Sequence, residues 1–455
     1  MKHFIKLCIA LLIIPLTMSC DTHDNEREEV TMTGDLDATR MVAMGNSLTA
    51  GIIDGGWTYD GLAHSYATQI ARQIYGDGRV GDDPAEHQFL LGRIRDPGNP
   101  VPAQINSIEE VGKYEDGTPV IIYDFTLPET RLAFDSFRVE NVDVGPNFNN
   151  LAVPGFIGLD VLQTDNAINF LGSQNPFYTI PLRDRGSQLE QALEIDPTFV
   201  ILWIGNNEVL GSAMSGGTIP PYPSQDDDHF SEPGFQSVLS ELLEPFENTG
   251  TRIILGTVPD VTSIPFVTEV GVEKDNGSKG FIVEPDEGNV WKDTLTFYGT
   301  TPEGEVRPVL GSEHVLLDWL LMDPYGEHPI KGSQSNPLPD KLWLTARQQA
   351  EISDATSAYN QAIEAAAGRS DNIAVADMHS FYNRIIINDG IDGYKAGLFG
   401  GLFSLDGVHP GKVGHAYIAN EFIKVLNESF GAQIATLNPQ DYDSQRNLSY
   451  QESKN

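Results

Sequence analysis

The sequence predicts an α/β fold in which helices pack on a central parallel sheet, and three observations predict it. Four short apolar runs of strand length, Met41–Gly45, 199–204, Arg252–Gly256 and Ile373–Ala376, recur along the chain. Segments with apolar residues at helical spacing lie between them, at 187–195, 235–248 and 345–367. A strand, a helix and a further strand in one sheet demand a crossover, which is right-handed and leaves the strands parallel. No internal repeat interrupts this rhythm.

From the start of the chain, Met1-Lys2-His3-Phe4-Ile5-Lys6 is a basic head and residues 7–16 an apolar run shorter than the ~20 residues that span a bilayer. That reads as a secretory signal over 1–19. Its end, Leu16-Thr17-Met18-Ser19-Cys20, resembles a bacterial lipoprotein signal, with the leucine four rather than three residues before the cysteine. The resemblance implies that Cys20 is lipidated and becomes the first residue. The only other cysteine is Cys8, within the signal, so no disulfide is expected in the mature chain and stability must come from the core. Residues 20–37 form an acidic tether with few apolar side chains. Such a stretch after the cysteine resembles a surface-export signal of Bacteroidetes-like lipoproteins, implying the cell envelope and an outer-membrane, surface-exposed location.

The folded domain is expected over 38–437. Met41–Gly45 delivers Ser47 into a turn, and 62–75, with Tyr66, Ile70 and Ile74 at helical spacing, is a helix behind it. Residues 76–149 turn rich in Gly, Pro and Asp, with short alternating pieces such as Val120-Ile121-Ile122-Tyr123, and form a first irregular insertion of hairpin or loop character. A second runs over about 263–340. Residues 345–367 open on Thr345 as a cap and close at Gly368, 380–388 form a short helix, and 413–426 carry the last apolar periodicity. A polar tail follows at 438–455.

The chemistry gathers at four places. In Gly45-Asn46-Ser47-Leu48 a serine stands at a strand end, where glycine lets the backbone turn sharply and a substrate approach closely. In Asp406-Gly407-Val408-His409-Pro410 a carboxylate stands three residues before an imidazole. A serine hydroxyl attacks poorly until an imidazole takes its proton, and a carboxylate fixes the tautomer of that imidazole and stabilises its cation. Between them, Asn150-Leu151-Ala152-Val153-Pro154-Gly155 offers a glycine N–H, and Gly205-Asn206-Asn207-Glu208 ends a β-rich run in paired amides. Donors of these kinds stabilise a developing oxyanion. Alone, each stretch is ordinary turn or strand-end text.

Together, in the order Ser, Gly, Asn, Asp-x-x-His, they resemble the four blocks of the GDSL-type esterase/lipase family, also called SGNH hydrolases. The match runs from about residue 41 to residue 426 and is dense only at the blocks. It implies a flavodoxin-like, three-layer αβα sandwich with a central parallel sheet, here bearing the two irregular insertions. It also implies Ser47, Asp406 and His409 as the catalytic triad, and an oxyanion hole made by Ser47, Gly155 and Asn207. Two residues depart from the family: Asn46 replaces an Asp before the serine, and Glu208 replaces an Asp after the third-block Asn. Asn206, one position earlier at a strand end, is expected to face away from the oxygen that Asn207 serves.

Composition narrows the partners. With 28 Lys and Arg against 65 Asp and Glu, the formal net charge is −37, which repels phosphate backbones and excludes nucleic acid as an expected partner. Gly-x-Ser-x-Gly and P-loop motifs are missing from the sequence, which argues against α/β-hydrolase-elbow and nucleotidase chemistry. Asp226-Asp227-Asp228-His229 has metal-ligand residue types in loop-like text where consecutive side chains point apart, and His314 and His328 lack a repeated ligand spacing, so no metal is assigned. Trp57, Tyr59, Trp203, Trp291, Trp319 and Trp343 read mostly as core. The expected function is a cofactor-free serine ester hydrolase, an esterase, lipase or acylhydrolase, held to a membrane by its lipid anchor and acting on a small-molecule, lipid or glycan ester. The alternative is a surface lipoprotein of the same fold that binds glycan or lipid without turning it over.

Overall fold

The computed structural model describes residues 33–92, 94, 104–114, 119–126, 146–163, 175–183, 185–227, 230–273, 277–285, 290–321 and 332–443. The expected signal at 1–19, Cys20, most of the tether and residues 444–455 lie outside them.

Strands Met41–Gly45, Phe199–Trp203, Arg252–Gly256 and Ile373–Ala376 form one parallel sheet in that spatial order. A further parallel segment flanks Met41–Gly45 on its other side: Ala43 N donates to Asn149 O at 2.8 Å, and Leu151 N donates to Ala43 O at 2.9 Å. With that segment second along the chain, the order across the sheet is 2-1-3-4-5. This is the flavodoxin-like arrangement, in which ligands bind outside the carboxyl ends of the strands where the order reverses. The reversal falls between Met41–Gly45 and Phe199–Trp203, and the four motif stretches leave the sheet around it. Both of these strands are buried along their whole length, which explains why they read as continuous apolar runs rather than alternating ones.

Helices cover both faces. On one, Tyr66–Tyr75 packs on Lys412–Phe430, and the latter rests on Arg252–Gly256 and Ile373–Ala376. Their shared core stacks Tyr66 on Phe422 at 4.8 Å, with Trp203 of the sheet edge-on to both. On the other face lie Gly158–Leu162, Gln188–Ile195, Phe235–Leu243 and Ala346–Ala367. Thr345 caps the last of these by accepting from Gln348 N, as expected.

The helix expected over 62–75 is two helices, Tyr59–His64 and Tyr66–Tyr75. Ser65 between them is extended at ψ 150° and caps the second by accepting from Thr68 N. The first packs so closely on the Ser47 turn that a Cβ at Gly51, which sits at φ 77°, would lie 2.3 Å from Gly61 O.

Both insertions contribute to a single second sheet. Gln104–Tyr114 and Pro119–Thr126 come from the first, and Val272–Glu273, Lys279–Pro285 and Val290–Thr296 from the second. Gln104–Tyr114 and Val290–Thr296 pair in parallel and join the two halves. Among the described residues, no helix is long and apolar enough to cross a membrane.

Candidate active site

Ser47 opens a single helical turn, Ser47–Ala50, directly after its strand. Gly45 makes the exit possible. At φ 149° it occupies backbone space that only glycine enters readily, and a Cβ there would lie 2.6 Å from Trp203 O. Gln188, fully buried, clamps this glycine from the helix Gln188–Ile195: Gly45 N donates to Gln188 Oε1 at 2.9 Å, and Gln188 Nε2 donates to Gly45 O at 3.0 Å. Asn46 caps the Ser47 turn by accepting from Leu48 N at 3.3 Å, and Asn150 Nδ2 holds its far end by donating to Thr49 O at 2.9 Å. The Ser47 side chain is thus placed by a rigid frame.

Asp406 is the hub of the opposite wall. Its Oδ1 accepts from Ser404 Oγ at 3.0 Å and from the N–H groups of Val408 and His409, each at 2.8 Å. Its Oδ2 accepts from His409 Nδ1 at 2.8 Å and from Gly55 N at 2.7 Å. Burial pushes this carboxyl up, but the His409 imidazole beside it and the hydrogen bonds from His409 and Val408 outweigh burial and hold it below the usual carboxylate range. A carboxylate only accepts, so His409 Nδ1 carries the proton and Nε2 is left as an acceptor. That Nε2 is buried and has no partner among the described residues, and His409 belongs to the wall of the pocket that Ser47 also lines. The turn after the Ser47 helix reaches the same loop twice, because Asp54 Oδ1 accepts from Leu405 N at 2.8 Å beside the Gly55 bond.

The third stretch departs from expectation in one respect. Asn206 and Asn207 are not at the end of an extended strand. The helix Asn206–Met214 begins at Asn206, after Gly205 turns at φ 97°, and successive side chains of a helix diverge by about 100° rather than 180°. Both residues belong to the wall of the pocket. Asn207 Nδ2 donates one N–H to Phe156 O at 2.8 Å, which leaves its second N–H available. Glu208, the residue that stands where the family has Asp, accepts from Gly158 N at 2.6 Å. Adjacent side chains of one helix thus grip 156–158, just after Gly155. Gly155 itself turns at φ 81° and is not among the residues lining the pocket.

Burial pushes Glu208 up to about 7, and burial together with the nearby Glu208 pushes Asp160 up to about 8. Neither acid lines the pocket.

The pocket has a polar side of Asn46, Ser47, Asn206, Asn207 and His409, and an apolar side of Leu48, Leu210, Pro259, Val261, Ile264, Val408 and Tyr382. It encloses about 410 Å³, open mouth included. Asp54, Gly55, Gln188 and Ser404 position the site without any sequence signal of their own, since most of their partners are remote along the chain. Among the described residues, no three His, Cys, Asp or Glu side chains gather as a metal site. Asp226 instead staples its own loop, accepting from Gly234 N at 2.8 Å and Ser237 Oγ at 3.0 Å, while Asp228, His229 and His328 lie outside the described residues. Trp57, Trp203, Trp319 and Trp343 are buried core residues, and none of them lines the pocket.

The GDSL-like Lipase/Acylhydrolase family model matches residues 137–422, a span that contains Gly155, Asn207, Asp406 and His409 and begins after Ser47. The comparison with curated proteins finds no match. Among solved structures, the chain is similar to LAE5, an alpha/beta hydrolase enzyme from the metagenome of Lake Arreo, Spain, at 12% identity over 88% of this chain and 98% of that one, with a TM-score of 0.35.

Proposed function

The chain belongs to the GDSL-like Lipase/Acylhydrolase family, and from that premise we propose that it hydrolyses carboxylic esters through Ser47, His409 and Asp406. As Ser47 Oγ attacks the ester carbonyl, its proton passes to His409 Nε2. The imidazolium so formed is stabilised by Asp406, and the oxyanion accepts from the free N–H of Asn207 and from the backbone N–H groups of Ser47 and Gly155. The tetrahedral intermediate collapses as the C–O bond breaks, and His409 returns its proton to the departing alcohol. Water then takes the alcohol's place, gives a proton to His409, attacks the acyl-serine and releases the acid with Ser47 restored. No step calls for a metal or cofactor.

The observation that carries this reading is the 2.8 Å pair of His409 and Asp406, with Nε2 unpartnered in the wall of the pocket that Ser47 lines. A panel of p-nitrophenyl esters from acetate to palmitate tests it and ranks acyl length. The parent should release p-nitrophenol from at least one ester, and Ser47→Ala should lose that release; an equally active Ser47→Ala would contradict the assignment. A folded parent inactive on every ester would favour the glycan- or lipid-binding alternative. Lipidation of Cys20 and attachment to the cell envelope belong to the same proposal.

A further inference from the structure

Two carboxamides in the pocket take no part in the hydrolysis proposed above. Asn46 is fully buried; its Oδ1 is spent on Leu48 N, and its Nδ2 has no partner among the described residues. Asn206 is 5% exposed, and neither its Nδ2 nor its Oδ1 has a partner among them. Other buried asparagines around the Ser47 strand hold backbone: Asn149 Nδ2 donates to Met41 O, Asn150 Nδ2 to Thr49 O, and Asn207 Nδ2 to Phe156 O. Asn46 and Asn206 are therefore a local exception, and both belong to the wall of the pocket that Ser47 lines.

A buried amide gives up hydrogen bonds to water on folding and is not compensated until something in the site replaces them. Asn46 offers a donor, and Asn206 offers a donor and an acceptor. An aliphatic chain satisfies none of these, and a carboxylate or phosphate, which only accepts, leaves Asn206 Oδ1 unpaired. A hydroxyl does both, giving its proton to Asn206 Oδ1 while its lone pairs accept from the amide N–H groups. At position 46 the family's Asp could cap Leu48 N equally well, but it would bring no donor. Leu210, Val261 and Ile264 of the remaining wall have no polar side-chain atom to serve the hydroxyl in their place.

We propose that Asn46 and Asn206 form a hydroxyl-reading subsite beside Ser47, so that the preferred esters carry a free hydroxyl close to the scissile carbonyl. The proposal rests on the ester-hydrolase reading and names the substrate class for it. The hydroxyl could belong to the alcohol or to the acyl half. Two matched pairs separate these sources: glycerol monoacetate against propyl acetate, and methyl 3-hydroxybutyrate against methyl butyrate.

Acid release by the full chain is followed by pH-stat titration, with p-nitrophenyl acetate as a common ester. In one pair the hydroxylated member should have the higher kcat/KM by about ten- to a hundredfold, the range one to two good hydrogen bonds supply. Asn206→Leu should bring that ratio close to one. Asn46→Asp, which keeps the cap and removes the N–H, should lower it by a smaller factor. Asn206→Ala, which removes both donor and acceptor, serves the same purpose if the leucine variant does not fold. A parent ratio near one in both pairs, or a preference that survives both substitutions at Asn206, overturns the subsite while p-nitrophenyl acetate turnover leaves the hydrolase reading standing. Failure to hydrolyse any of the five esters overturns both.

Discussion

Asp406 shows how much of a site one residue can organise. Its two oxygens accept five hydrogen bonds, which keep it ionised, fix the His409 tautomer and fasten the loop to Gly55. Of these, the Asp-x-x-His pairing was legible in the sequence because the partners stand three positions apart in one loop. The Gly55 contact spans 351 residues, and the Gln188 clamp on Gly45 spans 143, so nothing near either residue announces it. The strand end expected at Asn206 is instead a helix start, for a related reason. Helix or strand geometry decides where it points, and the helix begins at that residue. Asn207, anchored through Phe156 O, is expected to act on the transition state. Asn207→Ala should then cut kcat by ~10²–10³-fold with KM nearly unchanged, measured by steady-state kinetics on one short-chain ester. A rise in KM at constant kcat would mean that Asn207 binds the ground state instead.

At the scale of elements, Met41–Gly45 and Phe199–Trp203 were readable because burial on both faces leaves unbroken apolar text. Helices were readable where a cap marks their start, as at Ser187 and Thr345. The break at Ser65 was not, since a serine inside a helical pattern can equally bond its own helix. The helix Asn206–Met214 is joined to Gly158–Leu162 through Glu208, and this joint is expected to respond to pH. With its folded value raised to about 7 from 4.5, Glu208 binds its proton more tightly in the fold than in the unfolded chain. The resulting stabilisation is complete below pH 4.5 and is lost as the pH rises through about 7. Glu208→Gln keeps an acceptor for Gly158 N and has no proton to lose. Melting curves should therefore show its Tm gaining on the parent's between pH 4.5 and pH 8, whereas a constant difference would mean that Glu208 is already ionised at low pH.

For the whole molecule, the 2-1-3-4-5 order brings segments from both ends of the chain to the reversal of strand order. The alternation of strands and helices made the parallel sheet legible, but not the pairing of the two insertions into one second sheet. That depends on contacts such as Val290 with Lys113, for which neither segment carries a local signal. The proposed anchor is also a property of the entire chain. Cys20→Ser should leave the protein in the soluble fraction or unprocessed, while a processed variant bound to membranes as tightly as the parent would contradict lipidation there. The central claim is that the fold assembles an activated serine from residues at opposite ends of the sequence, and fluorophosphonate labelling of the native chain with peptide mapping tests it most directly. The account predicts one adduct, on Ser47, that forms much more slowly in His409→Ala and is lost when the chain is unfolded first. An adduct on another serine, or Ser47 labelling at the same rate in His409→Ala, would contradict it.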